Sequence, residues 1–552
     1  MTVKLECANM VSEKENELID LRTRMDNDLK LYRLDKFYLK DYNNKNVEKV
    51  DNVTGNDPEL FASRALSLMN TANMRIIVDG LEQDKATVIE EFLWWALAQA
   101  DRRLVRKRKG TLRENLTFGA GIRGWTGSRT LVWKDGDEVI FDILPIDMRY
   151  GAFDMGAEDI AWGSNTIAKT NFQIEREYKF ATRSKSKSQN VVDFWDDKEN
   201  IIYIKGSNYI LSQWAHGLGK PPVIIEPVML APPIGDMGDV KYWGESFFAG
   251  TRGLYAEKNK LATIMQTVNV MGFKPPMGFK SAEGNKYPET SPYAPGGVIA
   301  IKTDEGFMEI PFADIKDIAP FMYREISAAI QRRTFSYVEY GELGFELSAV
   351  AIAKLGQGRM LVLAPFMSAV KLQYRQIAEA IIKQFIDQDL TVTLGAPGKK
   401  KTYTAKELKG DYEISFDFVT ISPEENIANY SVAAAARPFL DDDTIRETII
   451  KLDDPKGVAG KVADQLAEVL SPATRLYRIY KVLVESEKFD EAELVWMQLE
   501  AMLQPQPSPQ LTGGGNGEKP EKPGLLQPSI PKLIDAGSSV GEGAKRMGLE
   551  EQ

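Results

Sequence analysis

The sequence predicts an α+β protein with more than one domain, and three observations support that prediction. Apolar residues recur at spacings of three and four in long stretches near both ends of the chain, a pattern typical of amphipathic helices. Between residues 119 and 230, short runs of β-branched and aromatic residues alternate with Gly, Asp and Asn, which indicates strands and turns. A chain of 552 residues also exceeds the size at which a single hydrophobic core stops growing.

The composition bounds the class of protein further. Hydrophobic residues make up 43% and charged residues 27% of the chain, close to the average for folded domains. The net charge of -10 predicts that any contact with DNA is either local or weak, because the surface as a whole is acidic. The only cysteine, Cys7, fits a reducing cytosol and is expected in a mobile N-terminal segment. The sequence has no apolar run of membrane-spanning length and no signal-peptide core, so we expect a soluble cytoplasmic product.

The first predicted elements are helices. Residues 57–72 open with Asp57 and Pro58, a capping residue followed by one that suits a first turn. A further helix is predicted over residues 86–117 and runs into a group of basic residues. Before both, residues 12–45 are predicted to be an amphipathic helix on the spacing of Leu18, Leu21, Met25, Leu29 and Tyr32.

Short strands and a long helix follow. Strands are predicted at Arg129–Trp133, Glu138–Leu144, Ile201–Ile204 and Tyr209–Trp214. Closely spaced prolines end this region. Apolar residues spaced along Phe247–Val268 then predict a helix of about 25 residues, roughly 37 Å long at the standard rise.

A small insertion separates that helix from the next. Residues 273–317 are rich in Pro and Gly and contain short apolar runs, which predicts a β-containing insertion. A helix over residues 317–333 and a glycine-punctuated stretch over residues 335–346 come next. The longest predicted helix covers residues 348–388, and Pro365 inside it is expected to bend it by removing one backbone hydrogen bond.

The C-terminal third returns to strand character over residues 389–420 and then to short helices over residues 422–503. Asp441–Asp443 is interpreted as a helix start, where the helix dipole favours negative charge. Residues 505–552 contain seven prolines and nine glycines. We expect disorder there, because so few large apolar side chains cannot offset the loss of chain entropy.

The clearest motif match is Gly119-Ala-Gly121-Ile-Arg-Gly124, the GxGxxG pattern of dinucleotide-binding proteins, with Asp142 downstream. That fingerprint needs a strand before the glycines and a helix after them, whereas the predicted order here is helix, glycines, strand. We therefore interpret the motif as a glycine-rich turn. The sequence also lacks the GxxxxGK[ST] pattern of a phosphate-binding loop.

Residues suited to catalysis or metal binding are few or unspecific. His216 is the only histidine, which excludes zinc sites built on histidine pairs, and a structural role beside Trp214 is expected for it. Asp and Glu total 79, so a carboxylate pair of a hydrolase stays open, but no pair stands out. We name no catalytic, cofactor-binding or metal-binding residue.

One concentrated basic run is a candidate contact for nucleic acid or for an acidic partner. The alternative is a solvated helix face, since cations suit the C-terminal half of a helix. Its positions fall on several sides of the helix, which weakens the idea of one binding stripe. The run consists of Arg102, Arg103, Arg106, Lys107, Arg108 and Lys109.

The order of the elements resembles that of the portal proteins of tailed bacteriophages, over about residues 40–503. In both, an α+β region is followed by a long helix, a β insertion, a returning helix, a glycine-containing loop, a long Pro-containing helix and a helical end. Three local phrases are similar as well. They are Ile143-Leu-Pro-Ile-Asp147 with Arg149-Tyr150, Gly219-Lys-Pro-Pro-Val223, and Tyr412-Glu-Ile-Ser-Phe-Asp-Phe418.

The resemblance implies a portal fold, whose regions are named wing, stem, clip, tunnel loop, spine and crown. The implied regions are 1–240 for the wing, 241–272 for the first stem helix, 273–317 for the clip, 318–334 for the second stem helix, 335–347 for the tunnel loop, 348–421 for the spine helix with further wing strands, 422–504 for the crown and 505–552 for a disordered tail.

The resemblance also implies a function without enzymatic activity or cofactor. Such proteins form a ring, typically of twelve subunits, at one capsid vertex of the virion, and double-stranded DNA passes through the channel during packaging and ejection. The clip docks the terminase large subunit and later the head-tail adaptor, the major capsid and scaffolding proteins are further partners, and no membrane is involved. The implied DNA-facing candidates in the tunnel loop are Tyr337, Glu339, Tyr340, Glu342 and Phe345.

Two other classes of protein stay open on the sequence. Another phage head-tail adaptor or minor capsid protein would share the acidic, cysteine-poor composition. A carboxylate-dependent metal hydrolase rests only on the number of Asp and Glu residues.

Overall fold

The computed structural model divides the chain into two compact units, Met1–Val458 and Ala459–Gln552, which are described separately. It contains 52% helix and 23% strand, which confirms the prediction of a mixed α+β fold. The predicted disordered tail lies outside the described residues. These are 2–181, 186–207, 209–232, 237–273, 277–281, 298–302, 306–309, 318–335, 349–396, 399–419, 423–450, 471–485 and 488–503, with single positions at 458, 462, 465 and 466.

Residues 2–118 contain five helices, and two of the predicted helices are each divided in the structure. The helix predicted over residues 12–45 is two helices that meet at Leu18 and end by Tyr32. The helix predicted over residues 86–117 is interrupted by a turn in which Arg108 and Gly110 adopt positive φ angles. The five are α1 (Thr2–Glu17), α2 (Ile19–Tyr32), α3 (Asp57–Thr71), α4 (Gln83–Arg106) and α5 (Leu112–Phe118).

The described strands of the first unit form five sheets. The predicted strands at Arg129–Trp133, Glu138–Leu144 and Ile201–Ile204 are confirmed within β2, β3 and β7, and that at Tyr209–Trp214 corresponds to β8. The strands to Pro227 are β1 (Asn73–Asp79), β2 (Trp125–Asp135), β3 (Glu138–Pro145), β4 (Gly151–Met155), β5 (Ile160–Thr170), β6 (Ser188–Trp195), β7 (Glu199–Ile204), β8 (Ile210–Ala215) and β9 (Val223–Pro227), with helix α6 (Asn171–Tyr178) after β5.

Two of these sheets organise the middle of the first unit. One is three-stranded in the order β3-β2-β9, and the other is five-stranded in the order β4-β5-β6-β7-β8. All of their strand pairs are antiparallel. The strand β1 pairs with a strand far along the chain, β15 (Glu413–Val419), so the two ends of this unit are joined in one sheet.

The second half of the first unit is dominated by helices. Helix α7 (Arg252–Phe273) and helix α8 (Ile318–Arg333) flank the predicted insertion, and α9 (Ala349–Asp387) follows with Pro365 inside it. These bounds confirm the helices predicted over residues 317–333 and 348–388. The remaining elements are β10 (Met277–Ser281), β11 (Val298–Lys302), β12 (Gly306–Glu309), β13 (Thr391–Ala396), β14 (Lys399–Thr404), α10 (Pro423–Ala436) and α11 (Asp442–Thr444).

The main hydrophobic core lies between α3, α4, α5, the sheet of β2 and β3, and α9. Its aromatic centre is Phe92 of α4, whose ring lies 5.9 Å from that of Phe141 in β3 and 4.9 Å from that of Phe385 in α9. All three side chains are fully buried. Burial of such rings contributes about 2 kcal/mol or more each, so this contact joins the sheet and two helices into one cooperative body.

Cys7 is not in a loose N-terminal segment, which corrects that prediction. It lies in α1 and is 7% exposed, in a cluster with Val11, Trp162 and Phe194. Residues four apart on α1 share one side, and this side covers the five-stranded sheet. Burial, with the nearby carboxylates Asp196 and Glu199, raises the pKa of the Cys7 thiol to about 11.

Two helices of the second unit are described over 14 and 15 residues, α12 (Pro472–Glu485) and α13 (Phe489–Leu503). They pack as a helical hairpin, with the rings of Tyr480 and Trp496 5.0 Å apart. Among the residues that the structure describes, no helix combines the length and the hydropathy needed to cross a bilayer.

Candidate functional site

The five predicted DNA-facing residues of the tunnel loop lie outside the described residues. The helix before this loop, α8, and the helix after it, α9, are both described. Helix α8 ends at Arg333, and Phe335 just beyond it is 2% exposed. The ring of Phe335 lies 5.1 Å from that of Phe61 in α3, in an edge-to-face arrangement. The chain therefore enters residues 336–348 from an anchor in the main core.

The helix after that stretch, α9, is fixed to the sheet by buried glutamines. Gln373 is fully buried, donates a 2.8 Å hydrogen bond to the hydroxyl of Ser128 and accepts one of 3.0 Å from Thr126. Eleven positions later, Gln384 accepts from the backbone NH of Val132 and donates to the carbonyl of Thr130. Buried amides that satisfy both of their polar ends in this way fix the axial position of a helix. No local pattern in the sequence indicates this contact.

Helix α7 is held by a ladder of hydrogen bonds to an extended segment. The backbone NH groups of residues 51, 53 and 55 donate to the side chains of Thr267, Thr263 and Asn259, at 3.1, 3.0 and 2.9 Å. Side chains four residues apart on a helix lie on the same side of it, and every second NH group of an extended chain points in the same direction. Each of these NH groups therefore meets one side chain of α7. The four-residue spacing of these polar residues was the sequence signal that we missed.

Helices α7 and α8 pack against each other on either side of the insertion. Lys258 of α7 forms a 2.8 Å ion pair with Asp57 at the start of α3, and its ammonium lies 5.4 Å from the centre of the Tyr323 ring of α8. The insertion between the two helices contains a three-stranded sheet in the order β11-β10-β12. The predicted β character of residues 273–317 is confirmed for these strands, and the other residues of that range lie outside the described part.

A buried ion network joins α2 to the turn before α7. The carboxylate of Asp28 is fully buried and accepts hydrogen bonds of 2.6 and 2.9 Å from Arg252 and one of 2.7 Å from the hydroxyl of Ser246. Arg252 also pairs with Glu245 at 2.9 Å, and Glu245 lies 3.5 Å from Arg24. Although burial opposes its charge, the bonds to Asp28 and Glu245 raise the pKa of Arg252 above its ordinary value. The network connects the first residue of α7 to helix α2.

The phrase Ile143–Tyr150, which contributed to the resemblance, has a clear structural role. Asp147 pairs with the buried Arg123 at 3.0 Å, and Arg149 forms a two-pronged 2.8 Å contact with Asp26 of α2. Its backbone NH also donates to Asp147. The charged residues of this phrase thus connect the segment after β3 to helix α2 and to Arg123.

The glycines of the GxGxxG match form a packing contact. Gly119–Arg123 is a π-helical turn between α5 and β2, so the expected order of helix, glycines and strand is confirmed. A Cβ at Gly121 would lie 2.3 Å from the Phe247 ring, and one at Gly124, where φ is +77°, would lie 1.8 Å from the carbonyl oxygen of Gly244. The absence of side chains lets the segment before α7 cross this turn.

The basic run is divided into two groups by its contacts. Lys107 and Arg103 reach the carboxylate of Asp142 in β3 at 3.0 and 3.5 Å, and Arg129 of β2 reaches its other oxygen at 2.5 Å. Burial acts against ionisation of Asp142, but Arg129, Lys107 and Arg103 together hold its pKa below the ordinary value. The rest of the run is exposed and forms no ion pair among the described residues, namely Arg102, Arg106, Arg108 and Lys109.

His216 has the structural role expected of it. Its Nε2 lies 2.9 Å from the carbonyl oxygen of Asp196, and its Nδ1 accepts from the backbone NH of Leu218 at 3.1 Å. The ring lies 5.5 Å from that of Trp195. Asp441 likewise caps α11, accepting from the NH of Thr444. Among the described residues, no group of three or more His, Cys, Asp or Glu side chains is arranged to hold a metal ion.

The chain was compared with protein-family models and with curated protein sequences. No protein-family model matches the chain, and no curated protein matches it in sequence.

Proposed function

We propose that the protein is the portal subunit of a tailed bacteriophage, which forms a ring around a channel for double-stranded DNA. The observation that supports this most is the succession α7, three-stranded insertion, α8, connecting stretch and the 39-residue helix α9. Two helices that pack together and bracket a β insertion have the order expected of stem and clip. The long Pro-containing helix that follows has the order expected of the spine.

The anchors around residues 336–348 suit the proposed channel loop. A loop that meets passing DNA must be carried by elements that do not move with it, and Phe335 and α9 are both fixed in the main core. Its three glutamates, Glu339, Glu342 and Glu346, would each be repeated once per subunit in a ring. A ring of negative charge repels phosphates, so DNA slides without being held.

The proposed docking surface for the packaging motor and the head-tail adaptor is the insertion with β10, β11 and β12. This short sheet lies in the chain between two helices that pack together, which is the order expected of a docking element. In this proposal the protein itself performs no chemistry. Its function is to hold a passage of fixed diameter and to bind other proteins in turn.

The experiment that tests the proposal is negative-stain electron microscopy of the purified chain together with native mass spectrometry. Rings with a central channel, of about twelve subunits, are the expected result. Monomers or dimers at every protein and salt concentration would contradict it. A closed ring without a through-channel would instead favour a head-tail adaptor or minor capsid protein.

A further inference from the structure

Two adjoining clefts form one groove beside strand β9 and helix α9. Their volumes are about 690 and 420 Å³, and they share Glu158, Asp159 and Gln376 in their walls. Gln376 of α9 donates a hydrogen bond to Glu226 of β9, so α9 and β9 are joined beside both clefts. The groove therefore runs between helix α9 and β9, which is an edge strand of the β3-β2-β9 sheet.

One end of the groove is apolar and open to solvent. Exposed side chains there include Met155 at 61%, Met229 at 55% and Tyr242 at 57%, with Trp243 at 36%. Exposed apolar groups that are clustered and not scattered indicate a surface that another molecule covers. Met and aromatic side chains are also the apolar residues enriched in protein interfaces.

The other end of the groove is acidic. Its walls carry four carboxylates and two lysines, a net charge of -2. Asp159 is paired with Lys220 at 3.1 Å, and Glu379 is paired with Arg375 at 2.9 Å. The remaining two carboxylates are exposed and form no ion pair within the part of the chain that the structure describes, namely Glu158 and Asp387.

A surface of matching chemistry lies on the same chain. The end of α4 and the turn after it carry Arg106 and Arg108, both exposed, and Val105 beside them is an apolar side chain 52% exposed to solvent. Two cations flanking an exposed apolar group complement an acidic and apolar groove. Because Lys107 and Arg103 bind Asp142, the position of this cationic end relative to β3 is fixed.

The two surfaces flank opposite edges of one sheet. Gln99 of α4 bonds to the backbone of Val139 and Phe141 in β3, which is one edge strand, and the groove follows β9, which is the other. Complementary surfaces at different places on a subunit produce head-to-tail contacts, and such contacts close into rings when the rotation between subunits allows it.

We propose that the groove is occupied by the cationic end of α4 from a second copy of this chain, and that this contact joins neighbouring subunits. The inference rests on the proposed function, which requires a ring. In the proposed contact, Arg106 and Arg108 of one copy lie against Glu158 and Asp387 of the next copy. Val105 lies towards the apolar end of the groove. The basic run then serves assembly and is covered in the ring.

The test is a charge swap on the full-length chain, with assembly followed by native mass spectrometry and sedimentation over a series of protein concentrations. The variant R106E/R108E should need an about tenfold or higher concentration to assemble, since like charges then face each other across the contact. The variant E158K/D387K should show the same loss. Combining the four substitutions should restore assembly, because opposite charges face each other again.

The control is K406E/K409E, which reverses two exposed cations outside both surfaces and should assemble as the unchanged chain does. Circular dichroism of each variant checks that the subunit is folded. Rings of R106E/R108E that form at ordinary concentrations would overturn the contact and leave the ring itself in place. If those rings also lose binding of a short DNA duplex, the basic run contacts nucleic acid instead. An unchanged chain that never assembles would overturn the proposed function as well.

Discussion

At the scale of single residues, Gly124 and Gly136 form a natural pair for testing why the turn before β2 needs glycine. Both have positive φ angles, +77° and +61°, so an added Cβ strains either backbone. A Cβ at Gly124 would lie 1.8 Å from the Gly244 carbonyl oxygen, whereas one at Gly136 would meet nothing within 4 Å. We expect G136A to lower the free energy of unfolding by about 1 kcal/mol. We expect G124A to lower it by more than about 4 kcal/mol, or to prevent folding.

Urea denaturation followed by tryptophan fluorescence measures both variants. Trp125 follows Gly124 directly and is 4% exposed, so it is one of the nine tryptophans whose emission is expected to change on unfolding. Equal midpoints for the two variants would show that the close approach of the two backbone segments is not needed.

Asp142 gives a prediction with a definite pH dependence. Its pKa in the folded protein is below the ordinary value of 3.8, since Arg129, Lys107 and Arg103 favour the ionised form over the effect of burial. The stabilisation is therefore complete at neutral pH and is lost as the pH falls through the ordinary value and then the lowered one. The melting temperature of the unchanged protein should exceed that of D142N clearly at pH 6.

This difference should shrink between roughly pH 5 and pH 2, as the carboxyl of Asp142 takes up its proton. Differential scanning fluorimetry over a pH series measures it. The exposed Asp135 at the end of β2 supplies the control, and D135N should follow the unchanged protein throughout. A difference between D142N and the unchanged protein that stays constant down to pH 2 would contradict the ion-pair explanation.

At the scale of elements, the connecting stretch between α8 and α9 can be tested separately from the helices that carry it. Replacing residues 337–345 by a Gly-Ser linker of the same length keeps the chain connected and removes all five candidate side chains. Because the anchors at Phe335 and in α9 are unchanged, rings should still form. Packaged DNA, measured as nuclease-resistant genomes in an infection complemented with the variant, should fall.

A second variant, E339Q/E342Q, separates charge from shape at the same place. It keeps the size of each side chain and removes the two carboxylates that are proposed to face the DNA. Isolated rings of this variant should bind a DNA duplex more tightly at low salt, and the difference should disappear as salt screens the charges. Phage yield that is unaffected by either variant would argue against a channel role for these residues.

The same elements show what the sequence could and could not predict. The bounds of α3, α8 and α9 follow from local signals, which are the helix-start residues Asp57 and Pro58 for α3 and apolar spacing for α8 and α9. The pairing of β1 with β15 joins residues more than 300 positions apart, and nothing local indicates it. The burial of Cys7 also depends on a sheet formed much later in the chain. The Asp142 cluster was missed for this reason too, since its cations come from both α4 and β2.

At the scale of the whole molecule, the acidic net charge and the local charges act in different ways. A charge of -10 per chain repels other copies and DNA at long range. Assembly of such a chain needs local surfaces of opposite sign, and the described residues contain an exposed cationic end on α4 and an acidic groove beside β9. Because exposed charges are screened by salt, we infer that assembly would depend on ionic strength in two directions. Salt weakens the general repulsion and also weakens the specific contact.

The division into two units gives the final prediction, which concerns a chain that ends at Val458. All three described hydrophobic core clusters consist of residues before 420, so removal of residues 459–552 takes no side chain from them. The shortened chain should fold, and the melting temperature of its main transition should lie close to that of the full chain. Circular dichroism and scanning calorimetry measure this. A shortened chain that is insoluble, or that lacks a cooperative transition, would show that the second unit is needed to stabilise the first.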